Sequence, residues 1–225
     1  MATASMVFLR GNEMIINPIL SDELTDDYIA TLSQEVFQMP ANCTVYGYVL
    51  EGSVDVPFGN SNRVVFAGEF FSTYSADRSD INVFGTAVVI ARFGWRGHTV
   101  IGVADKDGPG HVQYIDGCTD SLVIAPPRLG DPCLNLLYFP PHVDQTFHTH
   151  PSYRAGVVIS GHGKASLDDQ EIDLTTGVTF FLPAESRHRF RTGDTPMTVL
   201  AFHPDSDWGP TDENHPMLNR TIKAE

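Results

Sequence analysis

Two histidines one residue apart, His148 and His150, sit in a stretch that reads as β, and a third, His188, opens a later apolar run. Side chains of a strand alternate with period two, so His148 and His150 share one face. Three neutral imidazoles on one inner wall make an open metal site, and a metal with positions to spare is a place for chemistry.

Arg154 follows four positions after His150. Its guanidinium stays charged and has no lone pair to offer, so it cannot coordinate. Two roles fit it. One is a forked anchor for a substrate carboxylate or phosphate beside the metal. The other is an internal salt bridge to Glu185 or Asp144. Asp144 has the strand parity of the histidine pair and is expected to face inward. Gln145 is expected to face outward, unless a bulge near Pro140-Pro141 or at the barrel rim reverses the two. Either could supply an oxygen. His203 closes the last apolar run and is a candidate substrate contact at the site's mouth. Tyr153 has the opposite parity to Arg154, which favours packing, but it is kept with Arg154 and Gln145 as a catalytic candidate.

The chain carries 14 basic and 28 acidic residues, a net charge of −14. Nucleic acid and anionic membranes call for a positive face, so neither is expected as a partner. An arginine inside a pocket stands out against that background. Cys43, Cys118 and Cys133 are odd in number and far apart, which argues against a disulfide framework or a structural zinc knot. No basic region with an apolar run opens the sequence, and no stretch nears the roughly 20 apolar residues of a membrane helix. A cytoplasmic protein is expected, and the Asn-x-Thr sequons at Asn42 and Asn219 are read as chance.

The elements that must hold these residues read as β. Residues 22–38 are the exception: Leu24, Tyr28, Leu32 and Val36 recur at four-residue steps, Asp22 or Thr25 could cap, and Pro40 would stop a helix. Beyond it, short apolar runs alternate with Gly, Pro, Asp and Asn, at 45–50, 53–58, 63–67, 69–74, 83–93, 134–139, 155–160, 164–167, 171–174, 178–182, 188–191 and 197–203. That spacing predicts an all-β sandwich or barrel. The two halves echo each other. Tyr48-Val-Leu-Glu-Gly-Ser-Val-Asp-Val resembles Val157-Val-Ile-Ser-Gly-His-Gly-Lys-Ala, and Val65-Phe-Ala-Gly resembles Leu174-Thr-Thr-Gly. An internal duplication follows, with the break in the Gly-, Asp- and Pro-rich stretch 102–132.

The second half resembles the cupin superfamily. In the first motif of that family, G-x5-H-x-H-x(3,4)-E-x6-G, His142 stands at the first Gly and His148-Thr-His150 at the pair. Arg154 takes the place of the Glu, and Gly161 closes the motif. In the second motif, G-x5-P-x-G-x2-H-x3-N, Gly177, Pro183 and His188 match, while Glu185 replaces the second Gly and Thr192 the Asn. The resemblance covers about 130–205 by motif and about 43–100 by pattern. It implies two tandem jelly-roll barrels with a short N-terminal helix: a degenerate, metal-free domain over 1–105 and a metal-binding domain with a tail over 106–225. It also implies His148, His150 and His188 as ligands, and pairing into a homodimer. Some cupin dioxygenases use three histidines without the Glu.

The expected function is therefore an Fe(II) dioxygenase acting on a small anionic organic substrate. Mn, Ni, Zn and Cu stand as other metals. A second reading is a non-oxidative isomerase, epimerase or lyase, with Tyr153, Glu185 or His203 as base. A third is a bicupin that binds a small molecule without turnover. Phe139, Phe147, Val158, Phe180 and Phe181 are candidates for the apolar wall. The tail from Asp205 to Arg220 is expected to pack as a clasp on the first barrel or a lid on the second, with the clasp preferred.

Overall fold

The computed structural model describes Val7–Leu9, 27–167 and 170–222. The first half runs through β1 (Val7–Leu9), β2 (Asp27–Ser33), β3 (Val36–Met39), β4 (Cys43–Phe58), β5 (Ser61–Phe66), β6 (Glu69–Ser75), β7 (Ser79–Phe93) and β8 (Val100–Val103). The second runs through β9 (Val112–Gln113), β10 (Thr119–Ile124), β11 (Cys133–Phe139), β12 (Arg154–Leu167), β13 (Gln170–Thr175), β14 (Thr179–Leu182), β15 (His188–Arg191) and β16 (Met197–His203). A short helix, α1 (Pro216–Asn219), follows. Two antiparallel sheets form two tandem jelly-roll barrels. One has the order β2-β7-β4-β6-β8, with β3 on β7 and β5 on β4; the other has β1-β14-β12-β16-β11-β10-β9, with β13 and β15 on β12.

The two barrels bend at matching places. β4 turns at Gly52 and β12 at Gly161, with φ of 73° and 79°. A Cβ would lie 2.1 Å from the Phe84 carbonyl oxygen at the first and 2.0 Å from that of Pro196 at the second, so both sites demand glycine on two counts. Each bend follows a register shift, between Val49 and Glu51 against β7 and between Val158 and Ser160 against β16. The paired runs 45–50/53–58 and 155–160/164–167 are therefore single bent strands. Each bent strand serves both walls of its own barrel.

Three apolar clusters hold the molecule together. Val45, Val54, Phe71 and Ile81 fill the first barrel. Phe139, Val158, Phe180 and Met197 fill the second. Between them, Tyr46, Ile90, Leu136, Val157 and Phe202 join the outer faces of the two sheets. The 105/106 division falls between β8 and β9. β1 is the exception, because it pairs with β14 of the second sheet, with Val7 opposite Phe181.

The helix expected over 22–38 is replaced by β2 and β3, which pair with β7 from Asp27↔Arg92 to Met39↔Ser79; residues 22–26 lie outside the described residues. The reason is burial on both faces. Ala30 and Leu32 point into the first barrel, while Ile29 joins the cluster between the barrels. A strand buried on both faces shows no period-two alternation, so chance apolar residues at four-residue steps read as a helix. Among the described residues, no helix is long and apolar enough to cross a membrane.

Candidate metal centre

His148 and His188 meet as a bridge between two chain segments, with His148 N to His188 O at 2.9 Å and His188 N to His148 O at 3.0 Å. This reciprocal pairing puts their side chains on one side of the wall. His150 comes two residues after His148, and its carbonyl accepts from Glu185 N at 2.8 Å, which ties down the far end. The coordinating atoms of the three imidazoles lie within 4.8 Å of one another.

The tautomers are set locally. Nδ1 of His148 donates to the Thr146 carbonyl at 2.9 Å, and Nδ1 of His188 to the Ser186 carbonyl at 2.8 Å. A carbonyl can only accept, so both Nδ1 atoms carry the proton and both Nε2 atoms keep a lone pair. Thr146 is itself held by Asp116, whose Oδ2 accepts from its N–H at 2.6 Å. Nε2 of His188 is buried and has no hydrogen-bond partner. Burial and the flanking charges favour neutral rings. Burial, the Arg154 guanidinium and the other two imidazoles bring His150 down to about 3. Burial brings His188 down to about 4, with His148 and Arg154 adding to it. Three converging imidazoles, two of them oriented by Nδ1 hydrogen bonds and one with a buried, otherwise unsatisfied Nε2, fit a borderline divalent metal.

Arg154 lies against this pocket, on a wall shared with Leu137, Phe139, Phe180, Leu182 and Phe190. Its Nη1 donates to Ser152 Oγ at 2.6 Å and to the Tyr153 carbonyl at 2.8 Å, and lies 3.8 Å from Asp205 Oδ1. Its Nε is buried without a partner. Glu185 is exposed, and Asp144 pairs instead with Arg189 at 2.7 Å. Neither expected internal salt bridge is formed. His203 lines the same pocket, and burial, Arg154 and His150 bring it down to about 3.

The parity of Asp144 and Gln145 is reversed from the regular-strand expectation, as the bulge alternative allowed. Asp144 pairs with Arg191 and His148 with His188, so four steps on one side oppose three on the other. The extra residue is a bulge. It turns Asp144 out to solvent and Gln145 in, where Oε1 accepts from Phe190 N at 3.1 Å and Nε2 donates to Cys118 Sγ at 3.4 Å. Gln145 lines the pocket with both ends of its amide engaged.

Tyr153 is not at the site. It is buried between the barrels, where its hydroxyl donates to Asp27 and its ring packs on Phe181 and Phe202. Of the expected wall, Phe139 and Phe180 line the pocket and Val158 sits deeper in the barrel core. Phe181 faces the other barrel, and Phe147 lies under Arg187 and Arg189, with their guanidinium carbons 3.9 and 4.6 Å from its ring centre.

Sequence reasoning missed Asp120. It lies on β10, in the stretch taken for the break between domains, and it lines the metal pocket. Oδ2 accepts from Asn135 Nδ2 at 2.7 Å, while Oδ1 is buried without a partner. Burial raises its pKa. The signal that could have found it is the β-rich run 119–124 ahead of Pro126-Pro127. The tail also differs from the preferred clasp. Residues 205–208 line a cavity of the second barrel, and Gly130 N donates to the Ser206 carbonyl at 2.9 Å.

Residues 135–203 match the family model of the cupin domain. No curated protein matches the chain. Among solved structures, a cupin 2 conserved barrel domain protein from Leptotrichia buccalis superposes with a TM-score of 0.60 at 16% identity, covering 88% of each chain. A protein of unknown function from Pseudomonas syringae gives 0.60 at 13% identity, covering 88% of this chain and 99% of that one. A salicylate 1,2-dioxygenase from Pseudaminobacter salicylatoxidans gives 0.58 at 8% identity, over 80% and 70%. The match to the cupin domain covers residues 135–203, and the solved structures show that the chain shares their fold.

Proposed function

We propose that His148, His150 and His188 hold Fe(II) and that the protein is a dioxygenase acting on a small anionic organic substrate. The observation that carries this reading is the donor set: three converging imidazoles, two of them presenting Nε2, no carboxylate among them, with Arg154 on the same pocket wall. Bound iron would supply a place where substrate and dioxygen meet. The chain's own residues do the rest. Arg154, on the pocket wall, holds the substrate anion with its guanidinium charge. Phe139, Phe180, Leu182 and Phe190 exclude water. Gln145 braces the wall behind the histidines through Phe190 and Cys118. An oxygenase is known on this fold, in the salicylate 1,2-dioxygenase above. We read the chain as a bicupin and take it to work as a cytoplasmic homodimer.

Asp120 favours a second reading. A buried carboxyl with a raised pKa and one unpartnered oxygen is suited to moving a proton, as a non-oxidative isomerase or lyase requires. Oxygen uptake separates the two. Iron-reconstituted protein is screened against small carboxylic acids in an oxygen-electrode cell. Uptake that depends on substrate and disappears in His148→Ala supports the dioxygenase. Turnover at an unchanged rate under strict anaerobiosis overturns it.

A further inference from the structure

Part of the stretch between the two barrels braces the metal centre. Ile115–Gly117 form a tight turn between β9 and β10, in which Asp116 and Gly117 both adopt left-handed backbone, with φ of 54° and 81°. The turn closes on itself: Tyr114 N donates to the Cys118 carbonyl at 2.9 Å, and Cys118 N to the Ile115 carbonyl at 3.1 Å. Asp is one of the few residues that visit this backbone region readily. Its carboxylate here bonds a segment thirty residues on. Both donors of Thr146 end on it, the N–H on Oδ2 at 2.6 Å and the hydroxyl on Oδ1 at 3.3 Å. One residue earlier, Gln145 Nε2 donates to Cys118 Sγ at 3.4 Å. The turn thus grips two consecutive residues of the bulge, Thr146 on the exposed side and Gln145 on the buried side.

The grip reaches the metal site through one more bond. The Thr146 carbonyl takes Nδ1 of His148 at 2.9 Å and so decides which nitrogen of that ring keeps a lone pair. The N–H that Asp116 binds belongs to the peptide before Thr146, and the carbonyl that His148 binds belongs to the peptide after it. Asp116 therefore acts on where that carbonyl stands rather than on its electron density. The support at His188 is of another kind. There the Ser186 carbonyl takes Nδ1 at 2.8 Å, and Ser186 N donates to the Pro183 carbonyl at 3.2 Å, so the acceptor sits in a turn held by backbone. The brace on His148 is a side chain, and it comes from outside the segment 135–203 that matches the cupin domain.

We infer that Asp116 is a positioning residue of the metal centre: through Thr146 it holds His148 in the tautomer protonated on Nδ1, which leaves Nε2 as the ligand atom. This rests on the reading of the three histidines as a metal site and adds a residue of the connecting segment that sets the site's affinity. Outer partners of ligating histidines typically carry about 10–100-fold in metal affinity. Asp116 stands one bond farther out, which places its effect at the low end of that range.

The test uses two variants of the full-length protein. Asp116→Gly keeps the left-handed turn and removes the acceptor. Asp116→Asn keeps the turn and an acceptor oxygen, and its amide can donate to the Thr146 hydroxyl. Nitrogen NMR of the imidazoles in metal-free protein at pH 8 reads the tautomers, and chelator competition reads Co(II) affinity. Wild type is expected to show His148 protonated on Nδ1. In Asp116→Gly that state should give way to a mixture of tautomers while His188 is unchanged, and Co(II) affinity should fall about tenfold. Asp116→Asn should keep the wild-type tautomer and an affinity within about twofold of wild type. A wild-type His148 tautomer in Asp116→Gly overturns the inference, and so does an equal loss in Asp116→Asn, which would assign the effect to charge instead of position. If Asp116→Gly fails to fold, Asp116→Ala, which also lacks the acceptor, takes its place. The two readings fail separately. A wild type that takes up no Co(II) while its His148 tautomer still depends on Asp116 contradicts the metal reading only, whereas tight Co(II) binding that Asp116→Gly leaves unchanged contradicts this inference only.

Discussion

His148 and His188 exchange both of their backbone hydrogen bonds, at 2.9 and 3.0 Å, across a single bridge between segments forty residues apart in sequence. The bridge ties the segment that carries His148 to β15, and the two facing rings are held 4.4 Å apart, centre to centre. Precise sites need rigid supports, and this backbone bridge is one.

Arg154 is assigned to the substrate and not to the metal. Arg154→Met should leave metal content unchanged and weaken the binding of carboxylate probes about tenfold to a hundredfold, the range for losing a charge-assisted pair. Arg154→Lys should recover part of that, because a point charge replaces the fork. Calorimetry with small carboxylic acids and metal analysis of each variant check this. Loss of metal in Arg154→Met would contradict the assignment.

The imidazoles make the metal-free protein acid-sensitive. His188 and His150 are depressed from 6.5 to about 4 and about 3, and His203 to about 3. The folded state favours the neutral rings, so their stabilising effect is present above pH 6.5 and is lost as pH falls toward 4 and 3. For His188 alone the full loss is on the order of 3 kcal/mol. His150, partly open to solvent, adds less than its shift implies. Urea titrations of metal-free protein at pH 7, 5.5 and 4.5 should show falling midpoints, and Arg154→Met, which lifts the folded-state pKa of both rings back toward 6.5, should make the fall smaller.

His142 and Glu185 are among the non-glycine residues whose backbone positions favour glycine. His142 and Glu185 stand where the family motifs carry Gly, and both adopt left-handed backbone, with φ of 62° and 58°. Left-handed geometry costs a side-chain-bearing residue about 1–2 kcal/mol, part of which glycine's extra unfolded freedom offsets. His142→Gly and Glu185→Gly should each raise stability by about 0.5–1 kcal/mol, read as a higher Tm at unchanged metal content.

The opposite change is severe. Gly161→Ala puts a Cβ 2.0 Å from the Pro196 carbonyl oxygen at a φ of 79°. β12 cannot yield there without breaking its pairing with β16. The loss should exceed about 3 kcal/mol, and Gly52→Ala in the first barrel should match it. Thermal melts of the two variants check the equivalence of the bends.

What could be read in advance was what depends on local spacing. The His-x-His pair shares a face by strand geometry alone, and Gly161, Gly177 and Pro183 punctuate strands wherever they occur. What depended on distant partners was hidden. β2 is buried on both faces because a second barrel covers it, so Ile29 and Ala30 carried no alternation to read. Asp144 and Gln145 exchange faces because of one bulged residue, which only the pairing with Arg191 and His188 reveals. Asp120 lay in a segment whose Gly and Asp content resembles a linker, although β10 pairs with β11 to complete the second sheet. Trp208 gains its place at the cavity through backbone bonds to residues 129 and 130, which no composition foretells.

The central claim is that the three histidines form a metal centre. Its most direct test is metal stoichiometry by elemental analysis after anaerobic reconstitution with Fe(II) and removal of excess. The account predicts about one metal per chain in the wild type and in Arg154→Met, falling at least tenfold in His188→Ala, the position whose buried Nε2 has no other partner. Full metal retention in a folded His188→Ala protein, or none in the wild type, would contradict it.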